Sequence, residues 1–172
     1  MMQQQRREIR GCWLREKQLG HGGFGEVSLW KHMENGTYIA LKTLQRRNDE
    51  RVMERWKTEV EILLKLDHNN VVKGFEVPEE LRQEDTLSLA MQYCSGGDLR
   101  QFISKPEHRC GLPESDVRFI AHDIASAIEY LHSNKIIHRD LKPENVVLQT
   151  CADGDCERVC VVHFHIDSGQ VG

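Results

Sequence analysis

Gly20, Gly22 and Gly25 sit inside a stretch that otherwise reads as strand on both sides. The run Gly20-His21-Gly22-Gly23-Phe24-Gly25-Glu26-Val27 lets the backbone turn without a Cβ clash and come close to a phosphate. A similar glycine run opens the helix of a dinucleotide-binding fold. Here Val27, Leu29 and Trp30 continue as a strand after the last glycine. The predicted element is a hairpin, and the strand–turn–helix context of a dinucleotide site is missing. Phe24, at the tip, either covers the phosphates or packs the hairpin.

Composition narrows the class. A chain of 172 residues suits one domain or two small ones, and 39% apolar and 29% charged residues are ordinary for a soluble globular protein. The net charge of −4, with both signs interspersed, points to neither nucleic acid nor a membrane as partner. No apolar run approaches spanning length. Residues 1–12 read as a solvated leader lacking the apolar core of a secretory signal. The six cysteines, Cys12, Cys94, Cys110, Cys151, Cys156 and Cys160, then read as reduced thiols of a cytoplasmic protein. Cys151, Cys156, Cys160, His163 and His165 gather soft donors near the C-terminus, but their spacing fits no standard zinc pattern.

Strands are expected at Trp13–Gly20, Glu26–His32, Tyr38–Leu44, Val71–Glu76 and Leu87–Tyr93. Pro78 to Asp85 reads as a polar connection. A helix from Asn48 to Leu66 carries Val52, Trp56, Val60 and Leu63 on one stripe. Glu59 shares that stripe, and a carboxylate there needs a partner because unpaired burial is costly. Glu54 and Glu61 point away from it. After Tyr93 the character changes. Asp98 caps a short helix, and Pro113 starts a long one to Asn134 with the stripe Val117, Ile120, Ile124, Ile128 and Leu131. A strand at Val146–Leu148 and another at Val161–Ile166 follow. The expected fold is α+β: an antiparallel sheet with one helix over residues 13–93, a hinge at 94–97, a partial helical lobe over 98–149, and a divergent tail over 150–172.

The segment His138-Arg139-Asp140-Leu141-Lys142-Pro143-Glu144-Asn145 matches the protein-kinase catalytic loop without a gap. In that loop Asp140 accepts a hydroxyl proton, Lys142 lies against the transferring phosphate, and Asn145 holds a magnesium ion. Lysine at position 142 resembles the serine/threonine kinases. Ile39-Ala40-Leu41-Lys42 resembles the kinase V-A-I-K strand, which implies that Lys42 binds the α- and β-phosphates of ATP and pairs with Glu59. The resemblance further implies Met91 as gatekeeper, the Gln92 carbonyl and Cys94 amide at the adenine edge, and Val27, Ala40 and Leu148 as apolar walls. Asp167, in Asp167-Ser168-Gly169, is the candidate magnesium aspartate; the alternative is a tail of unrelated sequence.

Longer strings resemble the IκB kinase family. They are Leu19 to Gly25, Glu54-Arg55-Trp56, Leu89 to Arg100, Cys110-Gly111-Leu112, Asp123 to Ala127, and Ile136 to Gln149. This implies a C-terminally truncated kinase domain that uses ATP and Mg²⁺ on serines of IκB-type inhibitors. It also implies kinase-complex subunits and an adaptor as partners, in cytoplasmic NF-κB and innate immune signalling. The competing expectation is a catalytically dead domain that only binds nucleotide or a partner.

Overall fold

A computed structural model describes residues 8–22, 25–45, 50–150 and 157–161. Phe24, Cys151, Cys156, His163, His165 and Asp167 lie outside them, as does the expected strand beyond Val161. The described residues fall into two compact units. The first comprises Met1–Trp56 with Gly74–Tyr93, and the second Lys57–Lys73 with Cys94–Gly172.

The first unit is built on an antiparallel sheet. Its strands are β1 (Ile9–Arg10), β2 (Trp13–Gly22), β3 (Gly25–His32) and β4 (Tyr38–Gln45), then β5 (Gly74–Phe75) and β6 (Thr86–Gln92); helix α1 (Glu50–Lys65) lies between β4 and β5 in sequence, its residues from Lys57 on falling in the second unit. The order across the sheet is β1-β2-β3-β4-β6-β5. Side chains alternate between the two faces. Trp30, Ile39, Leu41 and Ala90 are buried on one face, clustered with Trp13 and Leu81. Trp30 Nε1 donates to Ser28 Oγ at 2.9 Å, which satisfies the buried indole.

Two expectations are corrected here. The connection read as polar forms a 3₁₀ turn at Glu79–Leu81, and Leu81 is fully buried in that cluster. One large apolar residue among charges gives no periodic signal, so the burial was not legible. The strand expected from Val71 shrinks to Gly74–Phe75, because Val71 and Val72 are spent elsewhere. Val72 N donates to Val161 O at 3.1 Å, and Val71 forms a parallel bridge with Val161.

The second unit carries α2 (Leu99–Ile103), α3 (Glu114–Ser133) and the ribbon β7 (Val146–Thr150) with β8 (Glu157–Val161). Asp98 caps α2 as expected, its Oδ1 accepting from Gln101 N at 2.7 Å. α3 begins directly after Pro113. Its buried line, however, is Asp123, Ala127 and Leu131, while Val117 is exposed. Ile120 and Ile124 pack only partly, against Leu99, Val146, Leu148 and Val159. The fully buried positions of the helix are thus a small alanine, a leucine and a hydrogen-bonded aspartate, with the isoleucines only partly covered. Asp123 Oδ2 accepts from Val159 N at 3.0 Å.

Candidate active site

The glycine segment is a hairpin. β2 and β3 pair through Gly20↔Val27, His21↔Glu26 and Gly22↔Gly25. Gly25 has a structural reason to be glycine: its φ is +110°, and a Cβ there would lie 2.0 Å from the Thr43 carbonyl oxygen. Gly20 has none, since a Cβ there would meet nothing within 4 Å.

Register places the other predicted residues of this unit on one face. Val27 is opposite Lys42, and Lys42 opposite Leu89; Leu29 is opposite Ala40, and Ala40 opposite Met91. Directly opposed residues share a face, as do residues two apart along a strand. Val27, Ala40, Lys42 and Met91 therefore line the face opposite the Trp30 cluster. Gln92 pairs with Ile39 and belongs to the Trp30 side, so it offers the shared face only backbone. Lys42 is 6% exposed, and its Nζ lies 5.0 Å from the centroid of the Trp56 ring. A buried ammonium over an indole face gains cation–π attraction of about 2 kcal/mol when desolvated. In α1, Trp56 and Leu63 are buried, Glu59 is half-buried between them, and Glu54 and Glu61 are exposed. Lys42 belongs to the first unit and Glu59 to the second.

The second unit brings together Asp140, Lys142 and Asn145. Asn145 is 6% exposed, and its Nδ2 donates to Asp140 O at 2.8 Å and to Asp140 Oδ2 at 2.9 Å. Lys142 Nζ reaches the same Oδ2 at 2.8 Å. That ion pair is half-exposed, so it orients the carboxylate more than it stabilises the fold. The turn that aims Asp140 is made upstream. Arg139 adopts φ of 61°, rare for a non-glycine residue. His138 is 3% exposed, and Asp140 N donates to its carbonyl at 2.8 Å. A buried histidine and a left-handed arginine thus present the carboxylate. Pro143–Asn145 forms a 3₁₀ turn that feeds straight into β7.

Leu148 and Cys94 lie in the same unit, and both are buried. Gly96 N donates to Leu148 O at 2.8 Å, and Leu148 N to Gly97 O at 2.9 Å. A Cβ at Gly96 would approach Leu148 Cβ and its carbonyl oxygen to 2.7 Å, so only glycine permits this crossing. The Cys94 thiol interacts with the thiol of Cys160. That neighbour, together with burial, pushes it above the range of a free thiol. Cys160 also donates to Asn69 O at 3.4 Å. Sequence reasoning missed Cys160, Asp123 and Asn70 as residues that fix this region, because each acts through a long-range partner.

A family model for the protein kinase domain matches residues 13–160. The match runs past Gln149, where the quoted strings end, and takes in most of β8. Relatives include the inhibitor of nuclear factor kappa-B kinase subunit alpha of Gallus gallus, 47% identical over 92% of this chain and 20% of the relative. The subunit beta of Bos taurus is 48% identical over 81% of this chain and 19% of its own length. The probable serine/threonine-protein kinase MARK-C of Dictyostelium discoideum is 36% identical over 80% of this chain and 18% of its own length. The chain thus spans about a fifth of the length of the curated relatives it matches. Among the described residues, no helix is long and apolar enough to cross a membrane.

Proposed function

The chain belongs to the protein kinase domain family, and from that premise we propose that its protein transfers the γ-phosphate of ATP to serines of IκB-type inhibitors. The observation that carries the reading is the Asp140 carboxylate, oriented at once by Lys142 Nζ at 2.8 Å and Asn145 Nδ2 at 2.9 Å. In this reading Asp140 accepts the proton of the incoming serine hydroxyl. Lys142 is close enough to the carboxylate to steady both it and the charge developing on the phosphate. Asn145 commits its Nδ2 to Asp140, which leaves an amide oxygen as a hard donor suited to magnesium. Asp167 is the second ligand we propose.

ATP would supply the phosphoryl group, and a magnesium ion held by Asn145 and Asp167 would offset phosphate charge. The backbone of Gly20, Gly22 and Gly25 receives phosphates. Gly20 supports this, because no intrachain packing requires glycine there. Lys42 holds the α- and β-phosphates, with Glu59 as its carboxylate partner. Val27, Ala40, Met91 and Leu148 wall the adenine, whose edge meets the Gln92 carbonyl and Cys94 amide. Residues 13–93 act as the nucleotide lobe, 94–97 as hinge and 98–149 as the lobe bearing the catalytic loop. The substrate class follows from relatives named as kinases of the inhibitor of nuclear factor kappa-B. Cytoplasmic NF-κB signalling, innate immunity, and partnership with kinase-complex subunits and an adaptor follow from the same likeness.

The test uses protein expressed from its complete coding sequence, with radiolabelled ATP and a serine-bearing IκB-type peptide. Transfer to serine that disappears in Asp140→Asn, with nucleotide binding kept, is the expected result. ATP binding without transfer by the unaltered protein would support the non-catalytic reading instead.

A further inference from the structure

We propose that Cys12, His32 and Glu34 form a binding site for a zinc-class divalent cation, apart from the nucleotide chemistry. Their donor atoms all lie within 4.8 Å of one another. The site is at the far end of the β2–β3 ladder from the glycines: Gly22↔Gly25 closes one end and Trp13↔His32 the other. Two hairpin turns meet there. Cys12 is in the turn between β1 and β2, His32 is the last residue of β3, and Glu34 is in the turn before β4. Backbone bonds lock the turns together. Met33 N donates to Cys12 O at 2.9 Å, His32 N to Thr37 O at 2.8 Å, and Gly36 N to His32 O at 2.9 Å.

The histidine supplies a second, independent observation. Its ring stands edge-on to Trp13, with centroids 4.9 Å apart at 88°, which fixes its direction. Its Nδ1 is buried and has no hydrogen-bond partner among the described residues. Buried side-chain nitrogens are nearly always satisfied, so an orphan nitrogen on a ring clustered with a thiol and a carboxylate points to a ligand. Cys12 Sγ lies 3.7 Å from Glu34 Oε1. Zinc–sulfur and zinc–oxygen bonds at a tetrahedral angle would separate those atoms by about 3.5 Å. Thiolate, imidazole and carboxylate are the usual zinc donors, and a water completes four-coordination. Magnesium, which demands six hard oxygens, does not suit this set. On binding, the Cys12 S–H bond gives its proton to solvent as the sulfur–metal bond forms, and the imidazole and carboxylate contribute lone pairs. No electron changes hands. The bound cation would tie the β1–β2 turn to the β3–β4 turn.

Cobalt(II), a spectroscopic stand-in for zinc, is titrated into the purified full chain. We expect thiolate-to-cobalt charge-transfer and tetrahedral ligand-field bands at one equivalent, both reversed by zinc. Cys12→Ser should abolish the charge-transfer band. Glu34→Gln should weaken cobalt binding about tenfold or more, at least the loss that an outer partner of a ligand brings. His32→Gln should weaken it too; because that ring packs on Trp13, the two turn variants carry the decision, with circular dichroism checking their fold. Bands that persist in Cys12→Ser and vanish in a Cys151→Ser/Cys156→Ser variant would move the metal to the C-terminal cysteines and overturn the proposal. Absence of cobalt and zinc binding by the unaltered chain would overturn it as well.

Discussion

The β2–β3 hairpin and the β7–β8 ribbon are both antiparallel pairs, yet they are held in opposite ways. The hairpin is secured by neighbours in sequence. Its ladder passes from β3 into β4, and its polar tie, Arg15 to Glu26, links its own two strands. The ribbon is secured from far away. Asn70 Nδ2 donates to Val159 O at 2.9 Å, Val161 N donates to Asn70 O at 2.9 Å, and Asp123 accepts from Val159 N. Val159, Cys160 and Val161 are almost wholly buried. One pair is built from alternation and turn chemistry, the other from polar side chains that satisfy a buried strand. The glycines and Lys42 belong to the first kind of support, and Asp140 and Asn145 to the segment feeding the second.

The largest effect expected from that division is on chemistry. Asp140→Asn should lower phosphate transfer about 10²–10⁴-fold, the range for a positioned base. Its thermal midpoint should stay close to that of the unaltered protein, because the carboxylate orients a reactant and does not build the ribbon. A large drop in the midpoint would mean that Asp140 is a structural residue of the loop.

Next comes the ribbon's anchorage. Asp123→Ala strands the buried Val159 N–H and should cost about 1.5–3 kcal/mol, measured by urea unfolding. Arg15→Ala, which removes partly exposed ion pairs to Glu26 and Glu8, should cost about 1 kcal/mol or less for each pair. Equal costs would erase the distinction between local and distant support.

Legibility followed the same division. The hairpin, α1 with Glu59 on its buried stripe, the Asp98 cap and the start of α3 all carry periodic or positional signals, and the structure has them. The catalytic-loop segment was legible as a string of residues, and its carboxylate–lysine–asparagine grouping is found in space. Leu81, Asp123, Asn70 and Cys160 were not legible in these roles. Each is a single residue whose burial depends on a partner dozens of positions away, and no window along the chain contains both. β8 was not legible for the same reason: Asn70 and Asp123, which satisfy it, lie far away along the chain.

The glycines sharpen the comparison within one hairpin. Gly25→Ala meets a positive φ and the Thr43 carbonyl, so it should lower stability by about 1–3 kcal/mol. Gly20→Ala meets open space and should stay within about 0.5 kcal/mol of the unaltered chain. If Gly20→Ala nevertheless weakens nucleotide binding, glycine there serves the ligand and not the fold.

The central claim is that the sheet face bearing Val27, Ala40, Lys42 and Met91 receives ATP, with Lys42 on its phosphates. Isothermal titration of Mg²⁺–ATP into the unaltered protein and Lys42→Ala tests it most directly. Removing the ammonium should cost about 1.5–3 kcal/mol of binding free energy, the range for hydrogen bonds to charged groups. Equal affinities for the two proteins would contradict the account and leave Lys42 with a structural role alone.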